Sequence, residues 1–367
     1  MKIVIVGAGI VGLSIARSAL RRGHHVTIVE QGAIPNPDSA SFDEHRMIRF
    51  QYNDAEGYAR MVRDAFAAWD RLWTEIGRCH FADSGVVSIS LASGDYADRS
   101  LATIRRAGLP HEVVTGAALA RLVPQLDLPA HASCVLCHPS GALLADRIVT
   151  DLAALVAERG AVLVPQSRVT AVDDAEASIT LASGQRISAD LVIVAAGAWL
   201  ERLLPDDYAS VPVQRQTLCY VRAPDDFTRA WHEGPALCVI GDRNVYTLPP
   251  RAGTGLKFGS GMLRKPAGPD QGFAPDSVQA REVIGAFAPY LRDAGGYEIM
   301  RAKVGYYVAD EVRRFKLERR NRRVVVTNCD GQMFKFGALI GERLAAAIDG
   351  ERAFDATARW LAGYLEA

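Results

Sequence analysis

The most restrictive stretch of this chain lies at its start, where KIVIV (residues 2–6) runs straight into GAGIVG (residues 7–12). The β-branched run has the character of a parallel strand buried on both faces. The turn fits G-x-G-x-x-G in the setting that makes the pattern informative, after a strand and before a helix. Gly7 permits the tight turn, Gly9 lets backbone approach a pyrophosphate, and Gly12 allows close helix packing. Leu13 to Arg22 carries apolar residues at 13, 16 and 20; Gly23 closes that helix, and HHVTIVEQ (24–31) is a second strand. This is a βαβ unit in about thirty residues. The helix N-terminus offers unpaired N–H groups to phosphate. Glu30 is placed to accept hydrogen bonds from an adenosine ribose whose 2′-hydroxyl is free. A dinucleotide ligand is expected.

Further along, 53–77 (NDAEGYARMVRDAFAAWDRLWTEIG) reads as a helix. Asn53 and Glu56 suggest a capping box, and Met61, Ala65, Trp69, Leu72 and Ile76 form a core stripe. Residues 81–141 shift to short strands such as GVVSISL (85–91), and 145–160 return to a helix ended by Gly160. DLVIVAAGAW (190–199) is an apolar strand ending in small residues, and 211–302 look β-rich. A strand at 322–327 and a helix at 338–348 complete the chain. No internal repeat is evident. The alternation predicts an α/β fold in which a Rossmann-like dinucleotide domain is interleaved with an antiparallel-sheet domain. Residues 1–80, 142–210 and 303–367 would form the first, and 81–141 and 211–302 the second.

Lys+Arg and Asp+Glu both number 42, so no global field draws nucleic acid or anionic lipid. The local exception, RRFKLERRNRR at 313–323, reads as a solvated turn, with docking to an acidic partner the lesser reading. The cysteines stand at 79, 134, 137, 219, 238 and 329. CVLC (134–137) has redox or zinc spacing but no second pair, so a buried strand fits better. Scattered thiols and the lack of a long apolar run predict a cytoplasmic protein without a membrane span. The eight histidines show no triad or metal spacing.

In GQMFKFG (331–337), Lys335 stands between Phe334 and Phe336. The residues alone allow a snorkelling lysine or a charge held at a reacting centre. Together with the fingerprint, HRMIRFQY (45–52) and DLVIVAAGAW, this loop resembles the D-amino-acid-oxidase superfamily of FAD enzymes. The closest likeness is to the monomeric sarcosine oxidase and N-methyl-amino-acid oxidase group, along the whole length and in the same order.

The resemblance implies FAD, bound by Gly7, Gly9, Ile10, Val11, Gly12, Glu30, Gln31, His45, Arg46, Val169, Ala196, Gly197, Trp199, Gly331, Gln332, Met333, Phe334 and Lys335. It implies that Arg49 reaches a substrate carboxylate, that Tyr246 is an active-site tyrosine, and that Lys335 promotes reaction of reduced flavin with oxygen. A fixed cation would stabilise the superoxide that forms there. The final helix would aim its N-terminus at the flavin, and a monomer is implied.

There are departures from that group. Lys303 or Val304 stands where it carries a cysteine thioether to FAD, so a non-covalent cofactor is expected. Gly261 and Gln332 replace two histidines, which leaves room for a substrate bulkier than sarcosine.

The function expected is oxidation of an amino acid or amine, secondary or N-substituted. Hydride passes to flavin N5, the imine is hydrolysed, and O2 becomes H2O2. The alternatives are a dehydrogenase of the same fold serving a quinone or carrier protein, a 2-hydroxy-acid oxidase, an NAD-dependent dehydrogenase and a non-catalytic flavin scaffold.

Overall fold

The computed structural model describes residues 1–209 and 211–365. Ser210, Glu366 and Ala367, at the ends of two expected segments, lie outside the described residues.

Strand β1 (Lys2–Val6), helix α1 (Ile10–Arg21) and strand β2 (His25–Val29) form the expected βαβ unit. β1 pairs in parallel with β2 on one side and with the strand Leu191–Val194 on the other. The full sheet has six strands, in the order 316–320, 323–327, 191–194, β1, β2, 162–164. Alternation along β1 shows why it must be apolar on both faces. Ile3 and Ile5 join a core with α1, α2 (Glu56–Ile76), helix 145–158 and the final long helix Gly337–Ile348, which the short helix Phe354–Leu361 follows. Val4 and Val6 join a second core with the meander 169–188.

The nine-stranded sheet is built mainly from 86–137 and 213–308. It is antiparallel except where Ala236–Ile240 lies parallel to Val86–Ser90. Those two strands come from separate stretches of chain, and the long intervening segment supplies the crossover that parallel pairing requires. Strand Glu298–Val308 pairs with Val213–Arg222 through Val308, so the expected boundary at 302 falls inside one strand. A small sheet of 46–48, 81–83 and 141–143 sets the arginine segment beside the large sheet.

Two local expectations are corrected. The N-cap of α2 is Ala55, with no side-chain cap. Asn53 instead has a left-handed backbone and accepts from Arg99 Nε at 2.5 Å, while Glu56 accepts from Arg60. The basic run is not a turn: Lys316–Arg320 is an edge strand paired with Arg323–Thr327. Phe315 and Leu317 alternate inward between charged neighbours, and that two-residue period holds the segment extended. CVLC lies in the strand Ser133–Cys137 with both thiols buried, and burial pushes each up to about 12.

Candidate functional site

Two cavities meet at the end of β1. One, of about 240 Å³, is lined by Gly7, Gly9, Glu30, Gln31, Val169, Ala196, Gly197 and Trp199. The other, of about 700 Å³, is lined by Gly9, Ile10, Val11, Arg46, Arg49, Tyr246, Gly331, Gln332, Met333, Phe334 and Lys335. Gly9, Ala40, Ser41, Ala195, Gly197 and Tyr306 line both, so the space is continuous. It suits an elongated ligand.

The turn between β1 and α1 works by close approach. Gly7 has φ +107°, and a Cβ there would lie 2.4 Å from Ala195 O. Gly12 lines neither cavity; a Cβ on it would lie 2.0 Å from Gly7 O, so its role is packing. Glu30 is anchored by Ala8 N (2.9 Å), Gly32 N (3.0 Å) and Asn36 Nδ2 (3.0 Å) at the wall of the smaller cavity. Small residues also join the two ends of the chain. A Cβ on Gly337 would meet Ile10 at 2.4 Å, and one on Gly341 would meet Ser14 O at 2.3 Å. The final helix therefore crosses α1 closely and carries the lysine loop to the glycine-rich turn.

Lys335 is 5% exposed, which rules out the snorkelling alternative. Its Nζ donates to Tyr52 Oη at 3.0 Å and to Gln332 O at 3.2 Å. Trp69 Nε1, from α2, donates to Lys335 O at 2.7 Å and holds the loop. Burial and then the neighbouring Arg49 charge drive the ammonium well below the usual lysine range. Arg49 stacks on Tyr52 at 4.5 Å and donates to Gln332 Oε1 at 3.3 Å; its buried Nη1 has no hydrogen-bond partner. Two basic groups thus face one cavity end with nothing anionic bonded to either. Tyr246 Oη accepts from Gln216 Nε2 at 3.4 Å, and burial raises its pKa so that the phenol stays protonated.

His45 lines neither cavity. Its ring stacks on Tyr220 with Nε2 3.1 Å from Gly255 O, so the expected contact with a bound ring is not made by this side chain.

Sequence reasoning missed two residues, Lys257 and Asp43. Lys257 lines the larger cavity, is 1% exposed, and donates to His45 O at 2.8 Å and to Asp43. Asp43 is also paired with Arg46 and accepts from Tyr220 Oη at 2.5 Å. Burial alone would raise the Asp43 carboxyl; the Lys257 and Arg46 charges outweigh it and hold it well below the carboxylate range. A lysine in the apolar strand LKFGS was the available signal.

The family model for FAD dependent oxidoreductases matches residues 2–347. The chain belongs to that family. The relatives of this FAD-dependent oxidoreductase include N-methyl-L-tryptophan oxidase of Yersinia pestis, 25% identical over 349 residues, covering 93% of this chain and 92% of the relative. The fold is shared with L-proline dehydrogenase from P. horikoshii (TM-score 0.83, 21% identity, 100% and 99% coverage). It is shared too with glycine oxidase from Geobacillus kaustophilus (TM-score 0.80, 20% identity, 96% of each chain).

The joined cavities fit FAD on the structure's own terms. Gly7 and Gly12 leave no room for side chains in the turn, an acid stands at the smaller cavity, and a guanidinium without an anionic partner stands in the larger one. Among the described residues, no helix is long and apolar enough to cross a membrane, and no cluster of His, Cys, Asp and Glu could hold a metal ion.

Two expectations concern stability. Asp43→Asn leaves Lys257 and Arg46 buried without their counter-charge, at a cost of roughly 3 kcal/mol. Calorimetry of the FAD-loaded protein should show a lower thermal midpoint, largely restored in Asp43→Asn/Lys257→Met. An unchanged midpoint in the single variant would contradict the pairing.

His45 is buried, and burial, then the Lys257 charge, lower it from 6.5 to about 3. The unfolded chain takes up that proton first on acidification, so this residue's contribution is present above pH 6.5 and is lost toward pH 3. Between pH 6.5 and 5.5, His45→Gln should remove up to about 1.4 kcal/mol per pH unit of the slope in unfolding free energy. Equal slopes by denaturant titration would show that His45 titrates normally.

Proposed function

We propose that this FAD-dependent oxidoreductase oxidises the carbon–nitrogen bond of an amino acid, with secondary or N-substituted amines favoured, and passes the electrons to O2. The observation that carries this reading is that Arg49 and Lys335, two basic side chains with no anionic partner, line the same end of the larger cavity. A carboxylate would satisfy both groups, and bidentate geometry favours the guanidinium. It would also return Lys335 toward its charged form, because an anion offsets the burial and the Arg49 repulsion. Similarity to an oxidase of an N-methyl amino acid supports the N-substituted class.

FAD, when bound, supplies the two-electron redox chemistry. The chain's part is to bind, orient and keep water out. Arg49 and Lys335 hold the carboxylate, Tyr246 offers a protonated hydroxyl, and Phe334 and Phe336 are buried on either side of the lysine. The space at Gly261 and Gln332, both on the cavity wall, accommodates a larger substituent than N-methylglycine carries. In net terms the substrate CH–NH unit, O2 and water give a carbonyl, an amine and H2O2. Lys303, which donates to Phe42 O, or Val304 would stand at the position expected for a thioether, and neither can form one, which supports FAD held non-covalently. Acid precipitation should then release all the flavin.

The test is incubation in air with N-methyl amino acids, cyclic imino acids, D- and L-amino acids and 2-hydroxy acids, with carbonyl product and H2O2 both measured. Equal yields from one amino-acid class support the proposal. Turnover of 2-hydroxy acids alone, or carbonyl product without peroxide, would replace it with a hydroxy-acid oxidase or a dehydrogenase.

A further inference from the structure

Asp330 is a charged residue to which neither the sequence motifs nor the proposed chemistry assigns a part. Its side chain is 2% exposed and lies on the wall of the larger cavity, at a left-handed backbone position (φ 43°) directly before Gly331. Three groups from three segments converge on it. Arg313 Nε lies 3.0 Å from both carboxylate oxygens, Arg264 Nη1 lies 3.6 Å from Oδ1, and Gln332 Nε2 donates to Oδ2 at 2.8 Å.

The last contact has a directional consequence. A primary amide has a donating end and an accepting end. A carboxylate can only accept, so it captures the NH2 end of Gln332 and turns Oε1 toward Arg49, where Nη2 donates to it at 3.3 Å. Reversed, the amide would set NH2 against the guanidinium, donor against donor. Gln332 thereby fixes one edge of the Arg49 guanidinium, whose side chain lines the larger cavity. The main-chain carbonyl of the same glutamine accepts from Lys335 Nζ at 3.2 Å, so one residue sets the attitude of both basic groups.

We infer that Asp330 is the positioning residue of the anion anchor: by fixing the Gln332 amide it sets the Arg49 guanidinium and Lys335 Nζ together for the substrate carboxylate. This rests on the reading that the substrate carries a carboxylate. Asp330 touches no substrate on this account; it acts through Gln332. The arginines at 264 and 313 hold its carboxylate in place.

The test uses FAD-loaded protein, with benzoate as the carboxylate probe and benzamide as its uncharged counterpart, binding being read from the flavin absorbance. Asp330→Asn should weaken benzoate about tenfold, the loss of one charge-assisted contact's alignment, and leave benzamide unchanged. With substrate, KM should rise while kcat stays within about twofold. In a Gln332→Leu background, Asp330→Asn should have no further effect on benzoate, because the relay is already cut. Unchanged benzoate affinity in Asp330→Asn would overturn the inference, and so would an equal loss in the Gln332→Leu background, which marks a purely structural role. If the parent protein binds no better to benzoate than to benzamide, the carboxylate reading itself fails, a result distinct from failure in the variants alone.

Discussion

Arg49→Ala is expected to lower kcat/KM for a carboxylate-bearing substrate by roughly two to three orders of magnitude, with FAD content unchanged. The guanidinium is stacked on Tyr52 and its side chain lines the larger cavity with no anionic partner. Removing one partner of a desolvated charge pair costs about 3–5 kcal/mol, and each 1.4 kcal/mol is a factor of about ten. An amine with the same side chain but no carboxylate should show little difference between parent and variant. Arg49→Lys should fall between, since an ammonium keeps the charge and loses the fork. Equal losses for both substrates would mean that Arg49 supports the fold and not the anchor.

The two buried lysines should separate substrate binding from the oxygen step. Lys335 lies beside Arg49, and its charge is suppressed until an anion arrives. Lys257 lines the same cavity; burial lowers its ammonium to about 7, and Asp43 opposes the fall, so it holds its proton more readily than Lys335. A cation needed when oxygen arrives must already hold its proton, which favours Lys257 over the residue expected from the loop motif. Lys257→Met should therefore slow the return of colour in air by about a hundredfold, the scale for losing one preorganised charge stabiliser, with substrate affinity little changed. Lys335→Met should instead raise KM. Rapid-mixing absorbance checks both. A Lys335→Met protein that recolours slowly, beside a Lys257→Met protein that recolours normally, would return the oxygen step to Lys335.

The dinucleotide half was legible because its signals are local. Strand, glycine turn, helix and acid lie within residues 2–30, and Gly7 and Gly12 answer to contacts a Cβ could not survive. The lysine loop was equally visible, since a cation between two phenylalanines is unusual wherever it falls. What stayed hidden depends on long-range pairing. Asp43 and Lys257 are 214 residues apart and meet only because the small sheet and the large one pack together. Neither carries a motif, and an aspartate in a Ser-rich loop reads as solvated. His45 was misjudged for a related reason: it sits in the right segment, but its ring is held against Tyr220 and Gly255, residues far away in the chain. The edge strand 316–320 was masked by charge, where the inward period of Phe315 and Leu317 was the better guide.

The central claim, that a flavin in these cavities takes electrons from an amino acid and yields them to oxygen, is tested most directly by the visible spectrum. FAD-loaded protein is mixed without oxygen with an N-methyl amino acid, a cyclic imino acid or another amino acid, and air is then admitted. The account predicts that the flavin band bleaches with at least one of these and returns rapidly in air. A band that no amino acid bleaches, or one that bleaches and stays bleached in air, would contradict it.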